Sequence, residues 1–233
     1  MGVAALFATT GILITTFITP IAAKSCLAVK PRSESFVSSI GAEDASNFDH
    51  LRTQGFVAVY NIDYKTARER FQEMTRVAPD HPAGYVYLAN NLWLETLYQG
   101  RRLSTSMYTG GSFYAQDKDE DAVDPKRDRE FNDLIRQALA AGKARLAKNP
   151  RDVEALYYNA SALGIRAAYS TSVKRSFTRS ITDANESIKI QRQVIKIDPD
   201  YVDSYLSIGL YEYVIDNLPG GLKFLARLAG LKG

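Results

Sequence analysis

Apolar residues recur at helical spacing over most of the chain beyond about residue 48, and three prolines punctuate them. Up to Pro79, Pro150 and Pro199 the chain runs with a helix-like period, and six residues after each proline a large apolar residue, Tyr85, Leu156 or Tyr205, restarts it. Apolar positions three and four apart predict amphipathic helices. A proline cannot continue a helix and biases the residue before it away from the helical region. No stretch shows strand-like alternation, so the predicted fold class is all-α, with helices paired across the prolines.

The register of the small residues sharpens this. Around Pro79 the order is Ala67-x3-Phe71-x2-Met74-x4-Pro79, then Tyr85-x2-Leu88-Ala89-x2-Leu92. The same offsets from Pro150 give Leu156, Asn159 and Ala160, from Pro199 Tyr205, Ile208 and Gly209, and counted backwards Leu51, Gln54 and Gly55. One position therefore reads Gly55, Ala89, Ala160, Gly209, and only small side chains there let two helices approach closely. On these residues the chain, from about Phe48 to its end, resembles the tetratricopeptide-repeat family. The resemblance implies a right-handed superhelix of antiparallel helical hairpins. Two hairpins depart from the family pattern in their second helix, with Ala138, Gly142 and Arg145 before Pro150, and Ser187, Gln191 and Val194 before Pro199.

The intervals from Pro79 to Pro150 and from Pro150 to Pro199 both exceed the roughly 34-residue family period, so each carries an insertion. The first is a serine-, glycine- and charge-rich stretch, expected as a mobile loop at about 103–128 between a helix ending near Tyr98 and one starting near Arg129. The second reads as a lengthened helix from Val153 to Ala168, with a turn near Thr182 and Asp183 as N-cap of the next helix. The domain plan is a leader over 1–28, a flexible tether over 29–45 rich in serine, proline and charge, and a repeat domain over 46–233.

Within the leader, Val3 to Ile21 is uncharged and apolar, and Ala23-Lys24-Ser25 or Cys26-Leu27-Ala28 offers a small-x-small cleavage site. That pattern favours export to the periplasm or cell envelope, although no lysine or arginine precedes Lys24. The alternative is an uncleaved membrane anchor through residues 3–21; Lys24, Lys30 and Arg32 would then hold the repeat domain in the cytosol. Cys26 is the only cysteine, so the domain contains no internal disulfide.

The net charge of +3 is too small a bias to point to nucleic acid, and the stretch from Arg166 to Arg179 reads as a solvated face. His50 and His81 lack partners at metal-ligand spacing and are expected at the surface. Asp117-x-Asp119-x-Asp121 begins like a calcium loop but has Ala122 where that loop needs glycine. No catalytic motif is found, so no enzyme activity, cofactor or metal is expected. The family resemblance places the concave groove on the first helix of each hairpin, at Phe56 and Tyr60, Val86, Asn90 and Trp93, Tyr157 and Ile165, and Leu206, Leu210 and Tyr213. The set is apolar and aromatic, suited to an apolar helix or an extended hydrophobic peptide.

After Leu218-Pro219-Gly220-Gly221, Leu222 to Leu231 reads as a short apolar helix. No polar capping helix follows it, so the domain is expected to be truncated there, or that helix to self-associate or dock on a partner. Two function classes follow. One is a non-enzymatic protein-protein interaction scaffold, exported or membrane-tethered. The other is a ligand-binding accessory subunit of an envelope transport system, with Trp93, Tyr157 and Tyr213 lining an apolar pocket.

Overall fold

The computed structural model describes residues 42–103 and 123–216. Among them the chain is all-helical, with α1 (Ala42–Tyr60), α2 (Tyr64–Val77), α3 (Pro82–Gln99), α4 (Pro125–Lys148), α5 (Val153–Ser172), α6 (Phe177–Ile197) and α7 (Val202–Asp216). Each helix packs on the next, and α3 also packs on α5. The leader, most of the tether, most of the expected mobile loop, the calcium-like aspartates and residues 222–231 lie outside the described residues. Among the described residues no helix is long and apolar enough to cross a membrane.

The three proline junctions share one geometry. Ala78, Asn149 and Asp198, each just before a proline, all leave the helical region, with φ between −139 and −133° and ψ between 75 and 99°. Two of the helices that follow are capped by side chains: His81 accepts from the Ala83 N–H at 3.3 Å and Asp152 from that of Ala155 at 3.0 Å. Each such cap satisfies a backbone donor that the first turn leaves unpaired.

Three of the four positions in the small-residue register, Gly55, Ala89 and Ala160, are buried at helix contacts, and Gly209 is exposed. A Cβ added to Gly55 on α1 would lie 2.2 Å from the ring of Phe71, a fully buried residue of α2. Ala89 and Ala160 are fully buried. In the two divergent second helices the same positions still form the contact. Ala138 and Gly142 are buried on α4, and a Cβ on Gly142 would meet the Asn159 side chain of α5 at 2.0 Å. On α6, Ser187, Gln191 and Val194 are buried: Ser187 donates to the Ala160 carbonyl at 2.7 Å, and the Gln191 side-chain oxygen accepts from Ser204 of α7 at 2.6 Å.

Four expectations are corrected. Helix α1 begins at Ala42 and buries Ala45, because Ala45 and Phe48 share the face that joins the core. Helix α4 begins at Pro125, with Asp124 as its N-cap, so residues 125–128 are helix instead of loop. The turn after α5 lies at 173–176, where Arg175 has a φ of 50°, and α6 runs without a break past Thr182. Asp183 is therefore not an N-cap. It is buried on α6, where its carboxylate takes a two-bond contact from Arg166 of α5 at 2.7 Å. Arg166 and Lys174, read as solvated, are both paired, the latter with Asp128 at 2.9 Å.

Two substitutions test this account. Gly55→Ala is expected to destabilise by about 2 kcal/mol in urea unfolding, because overpacking a buried ring outweighs the helix-propensity gain. Helix α1 ends with the Asp63 N–H on the Ala58 carbonyl at 2.9 Å and the Ile62 N–H on the Val59 carbonyl at 3.0 Å. That pattern puts the half-exposed Ile62 at a φ of 62°, where glycine is the favoured residue. Ile62→Gly is expected to stabilise by about 1 kcal/mol in the same measurement.

Candidate partner-binding surface

The first helices of successive hairpins bring a run of rings together. Phe56 of α1 lies edge-on to Phe71 and to Tyr87 of α3, at centroid distances of 5.5 and 4.8 Å. Tyr87 and Tyr158 share a hydrogen bond between their hydroxyls at 2.9 Å. Tyr157 contacts Tyr158 at 5.1 Å and then Tyr201, just before α7, at 4.9 Å. Arg52, bonded to Asp49 at 3.2 Å, lies beside the phenols of Tyr87 and Tyr158 and hydrogen-bonds the latter. Burial is the main cause that pushes the phenols of Tyr87, Tyr157 and Tyr201 well above the usual range. Neighbouring Asp203 adds to the rise at Tyr157, and Tyr158 and Glu154 to that at Tyr201.

The ten groove residues expected from the sequence separate into three groups. Val86 is 2 % exposed and belongs to the core, because the turn of α3 that carries it also carries Ala83 and Ala89 inward. Phe56, Asn90, Trp93, Tyr157 and Ile165 are half-buried, and the four apolar ones pack against the core. The Trp93 indole N–H donates to Ser172 Oγ at 2.9 Å. Tyr60 is exposed at the end of α1, and Leu206, Leu210 and Tyr213 on α7 are 74, 61 and 66 % exposed. The ring run thus leads through Tyr157 and Tyr201 to the start of a helix that presents large apolar side chains outward.

His81 was expected at the surface and is 2 % exposed. Phe48 of α1 and Tyr158 of α5 meet its ring edge-on at 5.1 and 5.3 Å. Its Nδ1 accepts the α3 capping bond, which leaves Nε2 to carry the proton towards Glu154, 3.4 Å away. Glu154 in turn faces Arg145 at 3.6 Å, and Arg145 pairs with Asp152 at 2.8 Å. Tyr87, Tyr158 and Tyr201 are what the sequence reading passed over. Their signal is the tyrosine pairing at Tyr157-Tyr158, one residue of which is half-buried and the other buried.

A separate cleft of about 550 Å³ opens between α2, α3 and the start of α4. Four of its charged side chains form one network: Arg68 meets Glu95 at 3.7 Å and also Glu130, and Arg127 meets Glu95 at 3.5 Å. The network ties three helices together. Trp93, Tyr157 and Tyr213 do not line this cleft. Among the described residues no group of three or more histidine, cysteine or carboxylate side chains is placed to hold a metal ion.

Comparison with known proteins found no matching family model, no matching curated protein and no matching solved structure.

The buried phenols predict alkaline sensitivity. An unfolded tyrosine ionises near pH 10. With folded values raised above that, the stabilisation from Tyr87, Tyr157 and Tyr201 is fully present below about pH 10 and is lost progressively as pH rises from there towards the raised folded values. The urea midpoint should fall as the pH rises above about 10, with phenolate absorbance rising cooperatively with unfolding. A gradual titration near pH 10 with no loss of stability would contradict the placement of these rings.

Proposed function

We propose that the chain is a non-enzymatic interaction scaffold of the tetratricopeptide type, exported or membrane-tethered. Its helical hairpins wind into a right-handed superhelix, and its concave face takes an apolar helix or an extended hydrophobic peptide. Three observations support the arrangement: stacking of each helix on the next, the α3 contact with α5, and the shared geometry of the proline junctions.

The observation that carries the function is the outward apolar row on α7. Leu206, Leu210 and Tyr213 are each more than 60 % exposed, on a helix whose other side packs on α6. Clustered exposed apolar residues mark interaction surfaces more often than chance. Beside that row stand Tyr157 and Tyr201, rings that supply large contact area at low entropic cost. The hydrophobic effect would drive association, and the ring hydroxyls and Asp203 would orient the ligand.

The test is calorimetric titration of the full chain with a panel of amphipathic helical peptides differing only in their apolar face. Binding of ~1 μM strength with a negative heat-capacity change is expected for the best of them. Leu206→Asp combined with Leu210→Asp should weaken it at least tenfold, since each lost leucine contact is worth roughly 1.5 kcal/mol or more. Thermal stability should be unchanged, because both side chains are exposed. Equal affinity in the double variant, or no peptide bound at all, would sink the reading.

A further inference from the structure

Successive helices run in opposite directions, so their ends gather on two edges. At one edge the proline junctions meet the starts of α3, α5 and α7: His81 faces Glu154, and Tyr157 contacts Tyr201. At the other edge the ends of α1, α3 and α5 meet the starts of α2, α4 and α6. There Tyr64 contacts Tyr98 at 5.7 Å, Trp93 and Arg102 both bond to Ser172, and Lys174 pairs with Asp128.

The two edges carry opposite charge. At the first, residues 78–82, 148–154 and 198–203 hold six acidic side chains against Lys148 and Arg151. At the second, residues 98–103 and 174–179 hold five lysines and arginines and no acid, while the charges of 60–65 and 124–130 balance. That excess of five is larger than the net +3 of the whole chain. The carboxylates of the basic edge are engaged within the fold: Asp63 and Asp124 cap α2 and α4, Asp128 holds Lys174 and Glu130 holds Arg68. Lys65, Arg101 and Lys126 are exposed and make no ion pair among the described residues.

Large apolar side chains stand among these cations. Tyr60 is 86 % exposed, and Ile62, Tyr98 and Leu103 are each close to half exposed. Ile62 keeps its side chain in solvent at a φ of 62°, and a β-branched residue held there at a cost to stability points to a role outside the fold. Tyrosines and aliphatic chains interleaved with lysine and arginine match the boundary between headgroups and acyl chains of an anionic bilayer, where the rings sit at headgroup level and the cations meet negative charge. A single-stranded nucleic acid would use the cations and the rings, which stack on bases, but would gain nothing from Ile62 and Leu103.

We propose that this edge docks on the surface of an anionic lipid bilayer, with Ile62 and Leu103 entering the interface and Lys65, Arg101 and Lys126 on the headgroups. The acidic edge then faces away, and a molecule with this separation of charge is oriented by the membrane field before contact. None of these residues belongs to α7, so the contact stands whether or not the α7 row binds a peptide.

Flotation of the full chain with vesicles of phosphatidylcholine, either alone or with about a third phosphatidylserine, tests it. The quantity read is the ratio of the two partition coefficients, which an uncharged apolar segment such as residues 3–21 does not change. The parent should favour the anionic vesicles at least tenfold. Lys65→Glu, Arg101→Glu and Lys126→Glu together should lower the ratio at least tenfold. Lys148→Glu, Arg151→Glu and Lys196→Glu, the same change of net charge without touching the basic edge, should leave it unchanged. Ile62→Ser with Leu103→Ser should weaken partitioning into the anionic vesicles at least fivefold with no fall in the urea midpoint. Equal losses in the two triple variants would overturn the proposal, as would an unchanged ratio in the first. Unchanged partitioning of the apolar pair would overturn it too, and together with tighter binding of a single-stranded RNA would assign the edge to nucleic acid.

Discussion

Two helices approach closely only if one of them gives up a side chain at the crossing, and that trade recurs along this chain. At the first hairpin the glycine is on α1 and the large ring on α2. Between α4 and α5 the roles reverse, with Gly142 on the second helix of its hairpin receiving Asn159. On α6 the ring is replaced by Ser187, which donates to α5, and Gln191, which accepts from α7, so both are satisfied on burial. The spacing between helices is thus set by three different pairings. Everything that depends on that spacing, from the aromatic run to the outward row of α7, depends on those notches.

What could be read in the sequence is what acts locally. Pro79, Pro150 and Pro199 stop helices through their own rings, so their positions translate directly into junctions. The small-residue register could be read because glycine and alanine recur at a fixed distance from those prolines. His81 could not, since its burial is made by Phe48 and Tyr158 from helices remote in the chain. Asp183 misled for a related reason: an acidic residue after a run of serine and threonine looks like a cap, whereas Arg166 one helix earlier draws it into a buried pair. Groove residues fared unevenly because helical periodicity places a residue on a face but does not say how far the next hairpin overlaps it. Val86 is overlapped and Leu206 is not.

The polar groups where α1, α3 and α5 meet are arranged to be quiet. The Tyr87 and Tyr158 hydroxyls satisfy each other, Arg52 has Asp49 and Tyr158, and His81 is held by a backbone donor and Glu154. A buried network of this kind adds specificity to the stacking of α1, α3 and α5, because any slip between them leaves a donor or acceptor without a partner. The apolar row of α7 sits at the end of that rigid seam, and a surface held rigid loses little entropy when something binds it.

Trp93 is the one tryptophan in the chain, and its indole N–H is bonded to Ser172 Oγ across the contact between α3 and α5. Those helices are not neighbours in sequence, so the bond exists only when successive hairpins are stacked. The molecule therefore carries a built-in optical reporter: indole emission follows the joining of one hairpin to the next, separately from the helix content that circular dichroism records.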